Sequence, residues 1–326
     1  MATALLDIHD LNIVYHDGRR AITAVSHASM QIRRGEVVGL VGESGSGKTT
    51  LANAILGILP RTARVSGSIR FNGAELVGMD ELSLNSAIRW RQVAMVFQKA
   101  LAALSPVHRI SEHLIDVLRA HEPRTPQAEI QARLARLMAT VRLPPETVHS
   151  YPHQLSGGML QRVMIALSLL FDPPFVILDE ATTALDVLTQ KQILDEIRRL
   201  QGEFGLTVLM ISHDIAAVAE NASRVVVMYA SQIVEDGPSQ AVIEAPAHPY
   251  TQALLAALPR LDGPRQRIQG IPGALPDLSQ PIHHCVFAPR CAHARESCWQ
   301  SVPVMRTRQA GHTAKCILVE EVEQVS

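Results

Sequence analysis

The chain has 326 residues, 47% hydrophobic and 19% charged, with 30 Lys and Arg against 31 Asp and Glu for a formal net charge of −1. This is the composition of a folded globular protein, and at this length it predicts one large domain with an appendage, or two domains. The balanced charge argues against a chain that binds nucleic acid through a general excess of basic residues. The opening MATALLDIHDLNIVY lacks the basic stretch and apolar run of a secretory signal, and no apolar run reaches the ~20 residues of a membrane span. The expectation is a cytosolic chain unless a partner holds it elsewhere.

Along the chain, short aliphatic and β-branched runs alternate with longer amphipathic stretches, the pattern of parallel strands joined by helices in an α/β fold. Buried strands are predicted at residues 36–41, 175–178, 207–211 and 224–229, where near-continuous apolar runs suit a sheet covered on both faces. Between 111 and 141, Leu114, Ile115 and Leu118, then Ile130, Leu134, Leu137, Met138 and Val141, recur at helical spacing around Glu122-Pro123-Arg124-Thr125-Pro126. This reads as an inserted helical subdomain. After about residue 236, prolines at 238, 246, 249, 259, 264, 272, 276, 281 and 289 mark an appended, loop-rich region. All 4 cysteines lie in that region, between Cys285 and Cys316.

The segment Gly42-Glu43-Ser44-Gly45-Ser46-Gly47-Lys48-Thr49 follows the run VVGLV and precedes the helical TTLANAILGIL, satisfying G-x-x-x-x-G-K-[ST] in a strand–loop–helix context. Its glycines let successive backbone N–H groups converge on a phosphate, and the helix that follows turns its positive end to the same charge. Lys48 adds a point charge and Thr49 a hydroxyl for Mg²⁺. A partner carboxylate is offered at residues 175–180, where the strand FVIL ends in Asp179-Glu180. Strand alternation sends the two side chains apart, so Asp179 is placed to hold Mg²⁺ and Glu180 to polarise an attacking water. Ser156-Gly157-Gly158 opens a further helix one helix ahead of that strand, offering a second anion site.

These motifs and their order resemble the ATP-binding-cassette ATPases over roughly residues 5–235. Residues 42–49 are similar to the Walker A loop, Gln98 after VAMVF to the Q-loop glutamine, residues 155–159 to the signature, 175–180 to Walker B, and Thr183-Ala184-Leu185-Asp186 to the D-loop. His213 in LMISHD resembles the switch histidine and Tyr15 the aromatic that stacks on adenine. The resemblance implies a P-loop NTPase: an ABC-type nucleotide-binding domain over 1–235 with a helical subdomain at about 99–172. Nucleotide contacts would fall on Tyr15, Gly42, Ser44, Gly45, Ser46, Gly47, Lys48, Thr49, Thr50, Asp179, Ser156, Gly157, Gly158 and Asp186. Mg²⁺ would sit with Thr49, Gln98 and Asp179, and catalysis would rest on Glu180, His213 and Gln98. Two such cassettes would close head to tail around two ATP molecules.

Tyr151-Pro-His-Gln-Leu-Ser-Gly-Gly-Met159, His248-Pro-Tyr-Thr-Gln-Ala-Leu254 and a C-terminal Cys285-x5-Cys291-x6-Cys298-x17-Cys316 containing Phe287-Ala-Pro-Arg290 resemble the oligopeptide/dipeptide/nickel import ATPases in particular. The chain departs from that branch at Gln98-Lys99-Ala100, Ser105-Pro106 and Ala181. The resemblance implies an ATPase subunit powering solute import, with peptides as the first expectation and nickel or another small solute as the alternative. Its implied partners are two transmembrane permease subunits, a paralogous second ATPase and an extracytoplasmic solute-binding protein, with no nucleic acid, at the cytoplasmic face of the inner membrane. Two other readings are a soluble non-transport cassette ATPase and a metal-sensing module. The first usually needs two cassettes or a coiled-coil arm; here there is one Walker A motif, and prolines break the segment between Gln98 and Leu155. For the C-terminal domain, 236–326, the resemblance implies a [4Fe–4S] cluster on Cys285, Cys291, Cys298 and Cys316. Zn²⁺, with His283, His284, His293 and His312 nearby, and four reduced thiols remain open beside it.

Overall fold

A computed structural model describes residues 4–18, 20–97, 104–182, 185–257 and 270–319. In chain order its strands are β1 (Ala4–Asp17), β2 (Arg20–Arg33), β3 (Val37–Val41), β4 (Ala63–Phe71), β5 (Ala74–Glu75), β6 (Val93–Val96) and β7 (Phe175–Asp179). They continue with β8 (Thr207–Ser212), β9 (Arg224–Tyr229), β10 (Gln232–Pro238), β11 (Arg306–Gln309) and β12 (His312–Ala314). The chain divides into two compact units, Met1–Gly78 with Met210–Ser326, and Met79–Leu209.

In the first unit, β2, β1, β4 and β5 form an antiparallel sheet in that order. Its register pairs Leu6 with Phe71, Ile8 with Ile69 and Ile13 with Val65, and Leu6, Ile8, Ile13, Ile69 and Phe71 are buried. A second sheet carries β11, β12, β10, β9 and β3 in order. All five residues of β3 are buried, as a strand covered on both faces requires. It runs parallel to β9, with Val38 opposite Arg224 and Val41 opposite Val227, so the loop leaving β3 emerges beside the end of β9. β10 returns antiparallel through the two-residue turn Ala230-Ser231, both at positive φ (44° and 70°). This is the backbone twist a tight hairpin needs, here without glycine.

The C-terminal residues extend this same sheet: β12 pairs antiparallel with β10, placing Ala314 opposite Glu235 and Thr313 opposite Asp236. β10 therefore runs through the position, 235/236, at which the sequence suggested a domain change. A buried carboxylate fixes the junction. Glu235 is fully buried, accepts backbone N–H bonds from Ala247 (2.7 Å) and His248 (2.9 Å), and lies 2.7 Å from His312 Nε2. A buried polar group is tolerated only when its hydrogen bonds are satisfied, and the Glu235 carboxyl makes all three of these. His248 caps the helix Pro249–Ala256 by accepting from Tyr250 N at 3.0 Å.

In the second unit β6 and β7 pair in parallel, Val93 opposite Phe175 and Val96 opposite Leu178. The spacing seen in the sequence becomes the helices Ile110–His121 and Gln127–Thr140, whose buried faces are Ile110, Leu114 and Leu118, and Ile130, Leu134, Leu137 and Met138. The helices Gly157–Ser168 and Val187–Phe204 complete it. Glu196 on the latter is buried and meets Arg199 at 2.8 Å, with Arg142 and Arg162 each at 3.8 Å. Among the described residues no helix is long and apolar enough to cross a membrane.

Burial pushes the His248 imidazole from 6.5 down to about 4, against the pull of Glu235. Above pH 6.5 the folded and unfolded chains both hold it neutral. Between 6.5 and about 4 the unfolded chain takes up a proton the folded chain refuses, so stability falls as pH drops through that window. His248→Asn keeps a capping oxygen and removes the titration. Urea unfolding at pH 7 and pH 5 is expected to show the wild type losing about 2 kcal/mol more than His248→Asn; equal losses would contradict the assignment.

Candidate functional site

In the first unit the phosphate loop joins β3 to the helix Lys48–Ile55. Gly42, Gly45 and Gly47 hold φ of 152°, 80° and 105°. A Cβ on Gly42 would stand 2.0 Å from the Met228 carbonyl oxygen, and one on Gly47 2.2 Å from that of Ala24. Both positions thus require glycine through conformation and through close approach of backbone. Lys48 is buried, and its ammonium donates to the carbonyls of Gly42 (2.7 Å) and Glu43 (2.9 Å) and to Ser46 Oγ (3.3 Å). The β9–β10 turn props the loop, with Ser231 N donating to Ser46 O at 3.1 Å and Ser26 N to Ser231 O at 2.8 Å. The result is a backbone cradle ending at a helix N-terminus, a geometry that suits a polyphosphate. Ser44, Gly45 and Thr49 are exposed, while Thr50 is half-buried and receives a hydrogen bond from Tyr15 Oη at 3.4 Å. His213 follows β8 and is exposed. Its neighbour Asp214 caps the helix Ile215–Ala219 by accepting from Ala216 N and Ala217 N.

In the second unit Asp179 ends β7 and is 1% exposed, and Glu180, half-buried, turns the chain at φ 48°. A left-handed conformation at a residue with a side chain costs on the order of 1 kcal/mol and concentrates at functional positions. The two carboxylates differ in exposure because Asp179 is the last residue of the buried strand and Glu180 lies past its end, in the left-handed turn. Ser156 caps the helix Gly157–Ser168, its hydroxyl accepting from Met159 N at 3.3 Å. A Cβ on Gly158 would lie 2.8 Å from Thr189 Cγ2, so glycine there permits the close approach of the helix Val187–Phe204. Asp186 caps that second helix, accepting from Thr189 N (3.0 Å) and Thr189 Oγ1 (2.6 Å), which holds its carboxyl below the usual range. Gln98, Thr183 and Ala184 lie outside the described residues.

The structure gives no support to the [4Fe–4S] cluster or the zinc alternative expected at the four cysteines. Among the described residues no three His, Cys, Asp or Glu side chains stand together at metal-holding separation. Cys285, Cys291, Cys298 and Cys316 are free thiols. Sulfurs of Cys291, Cys298 and Cys316 accept N–H bonds from His293, Arg295 and Leu318, each at 3.4 Å. Burial pushes the thiols of Cys285, Cys291 and Cys316 up, and the neighbouring cysteines push each of them in the same direction. His312 is taken up by Glu235.

Residues absent from the sequence expectations also reach the phosphate loop. Arg290 donates to both carboxylate oxygens of Glu43 (2.8 and 3.0 Å), and Tyr250 Oη lies 2.8 Å from Glu43 N. Both occur in the C-terminal motifs that marked the family branch, and nothing local in either motif points to residue 43.

Solved structures place this architecture. The dimeric bacterial ABC transporter cassette MJ0796 matches with a TM-score of 0.64 at 28% identity, covering 72% of this chain and 98% of that one. Its post-hydrolysis state bound to ADP and phosphate matches with a TM-score of 0.63 at 27% identity, with the same coverage. Residues 25–183 match the ABC transporter family model and 234–298 the oligopeptide/dipeptide transporter C-terminal region. The oligopeptide transport ATP-binding protein OppD of Escherichia coli strain K12 is 40% identical over 324 residues, 98% of this chain and 95% of that protein. OppD of Haemophilus influenzae strain Rd is 39% identical over 319 residues, 97% and 98% of the two chains. The chain therefore belongs to the ABC transporter family of ATPases, in the branch that carries the oligopeptide/dipeptide transporter C-terminal region.

Gly47→Ala is expected to weaken ATP binding at least about tenfold, because the added methyl must displace the Ala24 carbonyl or distort the loop. Titration of the folded variant with ATP checks this, and wild-type affinity in a variant with an unchanged melting profile would refute the steric reading.

Proposed function

We propose that this chain is an ATP-hydrolysing subunit of an importer for di- or oligopeptides. The observation that carries the reading is the phosphate cradle around Lys48, whose two glycine close approaches leave room for nothing but backbone; the Asp179–Glu180 pair at the end of β7 supports the hydrolytic part. The names of the 39–40% identical relatives support oligopeptide transport, and the match at 234–298 supports the same class of solute.

In this reading the loop amides and Lys48 bind the β- and γ-phosphates, and Lys48 exchanges its carbonyl and Ser46 contacts for phosphate oxygens. The hydroxyl of Thr49 and the carboxylate of Asp179 are the residues that would hold Mg²⁺, which neutralises phosphate charge when bound. Tyr15 stacks on the adenine. Glu180 accepts the proton of the attacking water, and His213 donates to a γ-phosphate oxygen. The Ser156 hydroxyl and the amides of Gly157 and Gly158 serve the γ-phosphate held by an opposing cassette, and the dimeric structures of MJ0796 support a two-cassette arrangement. That opposing cassette is a paralogous chain, and both work on two permease subunits fed by an extracytoplasmic solute-binding protein. The site of action is the cytoplasmic face of the membrane. The four cysteines have no part in hydrolysis.

The test is ATP hydrolysis by the chain assembled with its permeases in vesicles, with and without peptide-loaded binding protein. Peptide is expected to stimulate hydrolysis, and Glu180→Gln to lower kcat at least about 100-fold while ATP binding persists. Wild-type turnover by Glu180→Gln would remove Glu180 as the base. Turnover indifferent to peptide but stimulated by another solute would remove the peptide assignment.

A further inference from the structure

The strongest feature not used by that function is the ion pair joining the C-terminal region to the phosphate loop. Arg290 is 5% exposed and sits at the end of the short turn Ala288–Arg290. Besides its fork on Glu43, it donates to the carbonyls of Ile271 (3.0 Å) and Pro272 (2.8 Å) and to Tyr229 Oη (3.3 Å), with its guanidinium over the Tyr229 ring. All three guanidinium nitrogens are thus engaged, and the aim at Glu43 is set by the two consecutive carbonyls of Ile271 and Pro272. Tyr250 is itself buried, with its ring against Tyr229 and Phe287. Leu275 also lies near the loop, its Cδ1 3.6 Å from where a Cβ on Gly45 would stand.

Glu43 is the residue on which these contacts converge. Its amide faces Tyr250, its carboxylate faces Arg290, and its carbonyl accepts from Lys48 Nζ (2.9 Å) and Ser46 N (3.2 Å). A carboxylate in a loop that cradles a polyanion repels the ligand unless a cation neutralises it, and an Arg fork does so with fixed geometry. We propose that Arg290 is a positioning residue for the nucleotide: it neutralises Glu43 and locks the loop carbonyl that holds Lys48, so the C-terminal region forms part of the ATP site. This rests on the chain binding ATP as described above.

The test is titration of the full-length chain and its variants with ATP and ADP, alongside thermal melts and steady-state hydrolysis. Arg290→Met leaves Glu43 unpaired and is expected to raise the Kd for ATP about tenfold or more, with a smaller rise for ADP. KM rises with it, while kcat at saturating ATP stays within about twofold, a split that loss of folded protein would not give. Glu43→Gln added to Arg290→Met is expected to restore much of the affinity, because it removes the repulsion. Arg290→Lys, which keeps charge and loses the fork, falls between. Arg308→Ala, a C-terminal arginine that donates to Pro246 O at 3.2 Å away from the loop, binds ATP as the wild type does. Unchanged affinity in folded Arg290→Met or Arg290→Lys, or no relief from Glu43→Gln, overturns the proposal. Failure of the wild type to bind ATP would instead overturn the nucleotide reading.

Discussion

The constraint on which the rest depends is the backbone shape of residues 42–49, which puts three glycines at positive φ and packs two of them against the carbonyls of Met228 and Ala24. Such a loop is not stable by itself, because glycine gives up the most conformational freedom on ordering. It is held from several sides. The fully buried β3 fixes its start, the helix Lys48–Ile55 fixes its end, and the turn Ala230-Ser231 supports its middle. Lys48 closes the ring by drawing the Gly42 and Glu43 carbonyls onto one ammonium. The same ammonium, so held, is the charge offered to phosphate.

The C-terminal region follows from the same requirement. Prolines interrupt it throughout, and its described core cluster is small: Ala247, Ala314, Cys316 and Val319, with Leu318 packed against it. It gains order by joining the ATPase sheet through β12 and by two polar contacts of different kinds. Glu235 and His312 form a fully buried pair in which the carboxylate also takes two backbone N–H bonds, so desolvation is offset locally. Arg290 and Glu43 form a pair open enough on the Glu side, 27% exposed, to face the nucleotide loop. The first holds the region in place and the second connects it to chemistry. Sheet extension through β12 and the contacts of Glu235 and Arg290 order the region.

What was legible in the sequence was local. The strands at β3, β7, β8 and β9 and the paired helices at Ile110–His121 and Gln127–Thr140 were readable because their apolar spacing is set within a few residues. The phosphate loop was readable because glycine spacing is itself the mechanism. The sheet of β1, β2, β4 and β5 was not, since β1 and β2 are long and bulged at several registers, with polar residues such as Asp10 and Asn12 interrupting β1, and β5 is only Ala74–Glu75. The Glu43–Arg290 pair was out of reach for a different reason: its partners lie 247 residues apart, and each is an ordinary charged residue in its own neighbourhood. The cluster on the four cysteines was implied by resemblance alone, and the structure does not support it: among the described residues no group of three or more His, Cys, Asp or Glu side chains is arranged to hold a metal ion.

The central claim is that the phosphate loop binds nucleotide as a structure shared with the C-terminal region. Hydrogen–deuterium exchange of the full chain with and without ATP tests it most directly. Slower exchange with ATP is expected in residues 43–50 and, together with it, in residues 285–291. Unchanged exchange in the loop would contradict the claim that it is the nucleotide site, and protection confined to the loop would contradict its coupling to Arg290.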